Sequence, residues 1–324
     1  MTSMEGIKMK RHLTYIVFGT ILLLGHFVFS GNLYVYASDV PSIAFSSTRG
    51  GKDDIYIMDI NGKNLQKLTD HPGYEFDPSF SPDGQQMAYV STRDGNLEIY
   101  VLNLTTKVSH RLTHHPGHDD NPAWSPDGRW IAFESNREET YDIYKIEPDG
   151  TNLHRLTHEW DKNYNPTWSP DNQFIAFSSK GGTHIMDADG GKSRRLANPP
   201  LLGNTPSWSP DGKQIAFSTA LLGNTDIYTM DTDGGNIKRL THHPAVDESP
   251  VWGPNGQWMV FHSRWEENYD IYRIDMDGTN RRRLTHHLAR DVGPTWVPTG
   301  TLSVAPTAET QTTLWGRLKQ SIGD

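Results

Sequence analysis

Acidic residues and histidines recur at nearly fixed spacing along this 324-residue chain, and both residue types can bind cations or act in acid–base chemistry. One series of equivalent positions, the acidic column, contains Glu75, Asp119, Asn163, Gly203, Asp247 and Asp291. A series a few residues earlier, the histidine column, contains His71, His115, Glu159, Pro199, His243 and His287. Imidazole together with carboxylate suits several transition metals, so these columns are the first candidates for a metal or cationic ligand site.

The alternative is that repetition copies structural residues. The imidazoles of a Thr-His-His-Pro loop would then bond to the backbone, and the aspartates would cap turns. Ligands that are spread around a ring also lie too far apart for one ion, which needs its donors within about 2 to 2.5 Å. We favour the structural interpretation for both columns, and we predict no metal, no cofactor and no catalytic residue.

An arginine column accompanies the acidic one. Arg49, Arg93 and Arg137 share a position, and Arg264 is displaced from it by one residue. Such arginines more often form structural ion pairs than ligand sites. The two columns together would nevertheless make one face charged, and we expect a partner to dock there. The candidate partner-binding residues are Glu75, Asp119, Asp247, Asp291, Arg49, Arg93 and Arg137.

A third series, Asp-x-Asp-Gly, occurs at 187–190, 231–234 and 275–278 and suggests calcium loops. It lacks the five-residue gap and the terminal Glu of an EF-hand loop. We therefore interpret it as a series of hairpin turns.

The elements that position these columns follow from a Trp-Ser-Pro-Asp-Gly repeat. Its aromatic residues stand at intervals of 44, 44, 40, 44 and 44 residues, at Phe80, Trp124, Trp168, Trp208, Trp252 and Trp296. Pro and Asp-Gly favour a tight turn, and the alternating apolar run that follows, such as Ile131-Ala-Phe, predicts a strand. Four short antiparallel strands per unit, named A to D in chain order, predict a propeller blade, and strand A of one unit is predicted at Pro122–Trp124. The acidic and histidine columns are then predicted to lie in the D–A loops, and the arginine column in the B–C loops.

The chain ends predict how the ring closes. Strands B, C and D precede the first complete unit, and a lone strand A, Pro294–Trp296, follows the last one. Together they make a sixth blade beside five complete ones, so we predict an all-β, six-bladed propeller at residues 38–304. Residues 301–305 either extend that blade or begin a polar tail, 305–324. The unit with the 40-residue interval has lost four residues from its B–C loop, and we count it as a shortened blade.

The composition and the N-terminal residues exclude some functions and indicate where the protein is located. The net charge of −9 argues against nucleic-acid binding, and the absence of cysteine excludes disulfides and thiolate chemistry. Residues 1–37 combine a basic flank, an apolar stretch at 13–29 and a small-residue cleavage site at Ala37, which indicates a signal peptide. The alternative is an uncleaved membrane anchor. Either way we expect a periplasmic or secreted propeller, in contact with a membrane only through an uncleaved leader.

These repeats resemble those of the TolB family, the six-bladed propellers of the Tol-Pal system. The resemblance rests on Ile-Ala-Phe-Ser-Ser, Asp-Ile-Tyr-x-Met-Asp, Arg-Leu-Thr, His-Pro and Pro-x-Trp-Ser-Pro-Asp-Gly, over residues 42 to about 300. It does not extend to the α/β domain that precedes the propeller in TolB, because only about four residues separate the predicted cleavage site from the first strand.

The repeats contain a full set of scaffold residues and no nucleophile with a base that breaks the repeat. We therefore predict a monomeric, non-catalytic, TolB-like scaffold that binds a protein or another envelope component. The alternative is an enzyme centred in the channel, a polysaccharide lyase or hydrolase that uses His and Asp groups. An enzyme needs a few residues in unlike environments, so it should show one cluster of perturbed carboxylates or histidines in the channel.

Overall fold

The computed structural model describes residues 41–158, 161–196 and 204–298, and every regular element in these ranges is a β-strand. The strands form six four-stranded antiparallel sheets, the blades of a propeller. This confirms the predicted fold class.

Within each blade, strand A lines the central channel, strands B and C follow it outward, and strand D forms the outer edge. Blade 1 contains, from A to D, β24 (Asp291–Val297), β1 (Ser42–Ser47), β2 (Asp54–Asp59) and β3 (Gln66–Lys67). Blade 2 contains β4 (Glu75–Phe80), β5 (Gln86–Ser91), β6 (Glu98–Asn103) and β7 (Ser109–Arg111). Blade 3 contains β8 (Asp119–Trp124), β9 (Ile131–Glu138), β10 (Thr140–Ile146) and β11 (His154–Arg155). Blade 4 contains β12 (Tyr164–Trp168), β13 (Phe174–Ser179), β14 (Gly182–Asp187) and β15 (Arg194–Arg195). Blade 5 contains β16 (Asn204–Trp208), β17 (Gln214–Thr219), β18 (Asp226–Asp231) and β19 (Lys238–Arg239). Blade 6 contains β20 (Asp247–Trp252), β21 (Trp258–Glu266), β22 (Asn268–Asp275) and β23 (Arg282–Arg283).

The Ser-Pro-Asp-Gly motif forms the turn between strands A and B, as predicted. In blade 2 the Ser81 hydroxyl donates to Asp83 Oδ1 (2.6 Å) and accepts from the Gln86 N–H (2.9 Å). The Gly84 N–H closes the turn on the Ser81 carbonyl, and Gly84 has a φ of 66°. Glycine is favoured here because a side chain would strain this left-handed conformation.

The recurring acid of strand C and the Thr after strand D form one linked structure. In blade 2 the Thr113 hydroxyl donates to Glu98 Oε2 (2.6 Å) and accepts from the Ile99 N–H (3.0 Å), while Arg111 Nη2 donates to Glu98 Oε1 (2.6 Å). The buried carboxylate is therefore paired and hydrogen-bonded, as burial requires. Blade 4 has Gly182 at the acid's position and therefore lacks this pair.

Apolar clusters lie between neighbouring blades, one at each of the six interfaces. Indoles also link blades, since Trp168 Nε1 donates to the Ala123 carbonyl of blade 3 (3.0 Å). At the closing interface, Ile43 and Phe45 of blade 1 pack with Val260 of blade 6. The pairing of β1 with β24 confirms that both chain ends contribute to the closing blade.

Strand A begins earlier than the sequence indicates. In blade 3 it begins at Asp119, not at Pro122, because a β-bulge at Asn121 (φ 49°) lets the chain pair before the proline. The acidic column was predicted to lie in the D–A loops. Its described acidic members are instead the first residues of β4, β8, β20 and β24.

The propeller has two unlike faces. The loop face carries the D–A and B–C connections, and the turn face carries the A–B and C–D turns. Because β1 runs from the turn face and β24 runs toward it, Pro41 and Pro298 both lie at the turn face. The predicted leader and tail lie outside the described residues and stay predictions. None of the described residues belongs to a helix that is long and apolar enough to cross a membrane.

Candidate functional site

Six of the seven candidate partner-binding residues form ion pairs within their own blades. Arg49 Nη2 lies 2.9 and 2.8 Å from the two carboxylate oxygens of Asp291 in blade 1. The carboxylates are fully buried, whereas 10 to 15% of each arginine side chain is exposed. The pairs are Arg49 with Asp291, Arg93 with Glu75, and Arg137 with Asp119.

The surroundings of Arg137 show how these pairs are held. Its Nε donates to the Ser135 hydroxyl (2.9 Å), and its guanidinium lies over the rings of Phe133 (5.3 Å) and Tyr144 (4.7 Å). Hydrogen bonds, charge and cation–π contact all fix the arginine in place. These six residues therefore hold the B–C connections of blades 1 to 3 against strand A. Their contact with a partner stays a prediction.

Asp247, the seventh candidate, has no such arginine. Trp265 stands at the arginine position of blade 6, and the displaced Arg264 donates to the Glu267 carbonyl (3.4 Å). Asp247 is fully buried, and neither of its oxygens accepts a hydrogen bond of normal geometry from a described residue. Burial raises the pKa of Asp247 to about 6.

The histidine column caps loop turns. In each of four D–A loops, a histidine Nδ1 accepts the backbone N–H two residues further on, for example from Gly117 to His115 (3.0 Å). The other pairs are Gly73 to His71, Ala245 to His243, and Ala289 to His287. This geometry matches the structural interpretation of the column. Glu159 and Pro199 lie outside the described residues, within which no group of three or more His, Asp or Glu side chains could hold a metal ion.

Asparagine side chains tie the B–C loops to the D–A loops. Asn96 Nδ2 donates to the carbonyls of His115 (2.8 Å) and Gly117 (2.9 Å). Asn224 and Asn268 make the corresponding bonds in blades 5 and 6. The loop face is consequently a connected array rather than a collection of independent loops.

The central channel contains a cavity of about 300 Å³. A ring of prolines lines it, together with the bulge residues of positive φ that precede them. The bulge residues are Asp77, Asn121, Asn165, Thr205, Ser249 and Gly293. Every blade thus contributes to one continuous wall.

One side of the channel carries a cluster of carboxylates that does not repeat around the ring: Asp77, Asp120 and Glu134, here called the channel carboxylates. Glu134 pairs in register with Asp120, and Glu134 Oε2 accepts the Asn165 N–H of blade 4 (2.7 Å). Burial, reinforced by Asp120, raises the pKa of Glu134 to about 8. Burial also raises the pKa of Asp120, and that of Asp77 to about 7.

Sequence comparison of the repeats missed this cluster because its members come from three different columns. The sequence signal that could have revealed the cluster is a residue that differs from those at the equivalent position of the other blades. Glu134 stands where blades 1, 4 and 5 have Ser46, Ser178 and Ser218.

A second feature that does not repeat around the ring is a pair of side chains in blade 6, His262 and Glu248. His262 Nδ1 accepts the Gly293 N–H (3.3 Å), which directs its Nε2 toward Glu248 Oε2, 3.6 Å away. Burial lowers the pKa of His262, and the contact with His262 lowers the pKa of Glu248. The wall of the channel therefore carries carboxyl groups in blades 2 and 3 and a histidine–glutamate pair in blade 6.

Comparison with known proteins agrees with this architecture. The model of the TolB beta propeller domain matches residues 35–201 and 182–316. The chain belongs to the TolB beta propeller domain family. A 44-residue stretch is 46% identical to the Tol-Pal system protein TolB of Geobacter sulfurreducens, and it spans 14% of this chain and 10% of that relative.

Solved structures share the TolB-like fold. TolB from Acinetobacter baumannii superposes with a TM-score of 0.71 at 24% identity, over 80% of this chain and 67% of that one. An oligogalacturonate lyase in complex with manganese superposes with a TM-score of 0.58 at 18% identity, over 76% of this chain and 74% of that one. At these identities the likeness concerns the fold alone.

Proposed function

We propose that this TolB-like propeller is an exported envelope protein that binds another protein through its loop face. The observation that carries the proposal is a set of exposed apolar side chains on loops that are held firmly in place. Tyr74, Leu221, Leu222 and Leu288 are 55, 49, 63 and 95% exposed on this face. Large apolar side chains held out from a braced surface are typical of protein interaction sites.

The charged candidates have a supporting role in this proposal. Arg49, Arg93 and Arg137 hold the start of each B–C connection against Asp291, Glu75 and Asp119 in the adjacent strand A. They would set the shape of the docking face, and their exposed edges would contribute polar contacts at its rim.

The proposed location follows from two observations. Residues 1–37 have the pattern of an export signal, and the matched relative is named for the Tol-Pal system.

Site-specific crosslinking in cells tests the proposal. The photoreactive residue p-benzoylphenylalanine replaces Tyr74, Leu222 or Leu288 on the loop face, and Leu153 (44% exposed), which lies toward the turn face, as a matched control. We expect the loop-face positions to crosslink to an envelope protein and position 153 not to do so. Crosslinks from position 153 alone, or from none of the four positions, would refute binding through this face.

The channel carboxylates favour a second candidate, a hydrolase. A carboxyl group that keeps its proton near neutral pH can act as a general acid, and Glu134 and Asp120 face each other on paired strands. A lyase that acts on uronates fits less well, because the described residues that line the cavity include no lysine or arginine to bind an anionic substrate. We therefore assign this candidate a neutral sugar polymer.

Release of reducing ends from a panel of neutral polysaccharides tests the hydrolase. Activity that is lost in Glu134→Gln and kept in the control Glu138→Gln, which alters an exposed residue of the same strand, would establish it. Absence of activity from the wild-type protein on the whole panel would refute it.

A further inference from the structure

Four side chains hold the guanidinium of Arg137 where blade 3 packs on blade 2. Its nitrogens donate to the Ser135 hydroxyl and to the Asp119 carboxylate, both at 2.9 Å. Its central carbon lies 5.3 Å from the ring centroid of Phe133 and 4.7 Å from that of Tyr144. The arginines held in the same way in blades 1 and 2 are Arg49 and Arg93. This position in a blade therefore accepts a planar group that carries N–H donors.

Blade 4 has a cavity of about 220 Å³ at the equivalent position, where its sheet faces blade 3, here called the interblade cavity. The shortened B–C loop has Gly181 at the arginine position, so it supplies no side chain there. All four residues that correspond to the neighbours of Arg137 line the cavity. They are Asn163 for Asp119, Ser179 for Ser135, Phe177 for Phe133, and His184 for Tyr144.

The two acceptor positions of the arginine site are kept in the interblade cavity. No described residue is hydrogen-bonded to the Ser179 hydroxyl. Asn163 Nδ2 donates to the Asp161 carbonyl (2.9 Å) and to Asp142 Oδ1 (3.4 Å), whereas Asn163 Oδ1 accepts no hydrogen bond from a described residue. Asn163 is only 3% exposed, so a ligand is the natural partner for its carbonyl oxygen.

The charges of the arginine site are not kept. Asn163 replaces the carboxylate, and Gly181 replaces the arginine. None of the described residues that line the cavity is an aspartate, a glutamate, a lysine or an arginine. Because moving an ion from water into a site without a counter-charge is costly, the cavity favours a neutral ligand.

We propose that the interblade cavity binds a small neutral molecule through a carboxamide or ureido group. Such a group has the planar shape of a guanidinium and its N–H donors, but no charge. The N–H groups would donate to the Ser179 hydroxyl and to Asn163 Oδ1, and the plane would lie against the rings of Phe177 and His184. This site is separate from the proposed docking surface, and it does not depend on binding of a partner protein there.

Three probes of nearly identical shape and different charge test the proposal on the full folded protein. They are methylurea (neutral), methylguanidinium (positive) and acetate (negative). Such small molecules bind weakly, so each is titrated to about 100 mM while backbone amide resonances are recorded by NMR. We expect methylurea to shift the resonances of residues 182–184 in a saturable way, with at least tenfold tighter binding than either ion. No shift with methylurea, or equal or tighter binding of methylguanidinium or acetate, would overturn the proposal.

Asn163→Asp restores the carboxylate of blades 1 to 3 and should reverse the preference. We expect methylguanidinium to bind this variant at least tenfold more tightly than it binds the wild type, because the site then offers a counter-charge. The control Asn61→Asp adds the same charge to an exposed turn of blade 1 and should change both affinities less than twofold. An unchanged preference in folded Asn163→Asp would contradict the assignment of Asn163 as the acceptor.

Ser179→Ala tests the other acceptor without a change of charge. It should weaken methylurea binding at least threefold, because one hydrogen bond to the ligand is lost. The control Thr106→Ala removes an exposed hydroxyl in blade 2 and should leave the affinity within twofold of the wild type. Equal affinities in Ser179→Ala and Thr106→Ala would refute binding at the Ser179 hydroxyl.

Discussion

Asp119 and Arg137 are joined within blade 3 by one guanidinium nitrogen that lies 2.9 Å from both carboxylate oxygens. Removing the charge of Asp119 leaves an almost buried guanidinium without its partner. We expect Asp119→Asn to lower the free energy of unfolding by about 3 kcal/mol in urea titrations at pH 7. The control Asp161→Asn alters a 46% exposed carboxylate that lies 3.8 Å from Lys180, and it should cost less than about 0.5 kcal/mol. Equal losses in the two variants would mean that the Arg137 pair contributes little.

Asp247→Asn should raise the free energy of unfolding, because Asp247 is buried and forms no ion pair within the described part of the chain. Its pKa is raised to about 6 in the folded protein, so the unfolded chain releases this proton first, from about pH 4. Ionisation of Asp247 therefore lowers the free energy of unfolding between pH 4 and 6, and the whole cost is present above pH 6. We expect Asp247→Asn to be more stable than the wild type by about 2 kcal/mol at pH 7.5 and equally stable at pH 4. A less stable Asp247→Asn at pH 7.5 would show that this carboxylate is paired after all.

Glu134→Gln should flatten the pH dependence of stability. Folded Glu134 holds its proton up to about pH 8, whereas the unfolded chain loses it near pH 4.3. The wild-type free energy of unfolding should consequently fall through this window, with a contribution from Glu134 of up to about 1.4 kcal/mol per pH unit. Thermal unfolding between pH 4.5 and 8.5 measures the slope. It should be shallower in Glu134→Gln than in Glu138→Gln, and identical slopes would rule out a protonated Glu134.

Gly234→Ala should disturb the interface between blades 4 and 5. Gly234 has a φ of 89°, and a Cβ there would lie 1.7 Å from the Leu196 carbonyl oxygen of blade 4. Gly95 has a similar φ of 101°, but its Cβ would meet open space. Gly95→Ala should therefore cost about 1 to 2 kcal/mol from backbone strain alone. Gly234→Ala should cost at least about 2 kcal/mol more, because the turn must also move. Equal melting temperatures would show that the turn is not held against blade 4.

Features that repeat in every unit could be predicted from the sequence. The Ser-Pro-Asp-Gly turns, the four strands per blade and the closing pair of β1 and β24 all follow from recurring turn residues and alternating apolar runs. Even the shortened blade keeps its four strands, because the four residues are lost from the connection between β13 and β14, where Gly181 has a positive φ.

Features that depend on pairing between strands or on closure of the ring could not be predicted in this way, even where, like the bulge, they recur in every blade. The bulge at Asn121 depends on pairing with the neighbouring strand, so the start of strand A was misplaced by three residues. The channel carboxylates meet only when the ring closes around them. Arg137 and Trp265 occupy equivalent positions in their blades. Arg137 forms an ion pair with Asp119, whereas Trp265 cannot, and Asp247 has no hydrogen-bond partner among the described residues.

Binding of the purified propeller to the partner found by crosslinking, measured by titration calorimetry, tests loop-face recognition most directly. The matched variants are Leu221→Ser/Leu222→Ser/Leu288→Ser on the loop face and Leu153→Ser/Ile237→Ser toward the turn face. We predict at least tenfold weaker binding for the loop-face variant and less than a twofold change for the other. Unchanged affinity in the loop-face variant, with both proteins folded, would contradict partner binding through these loops.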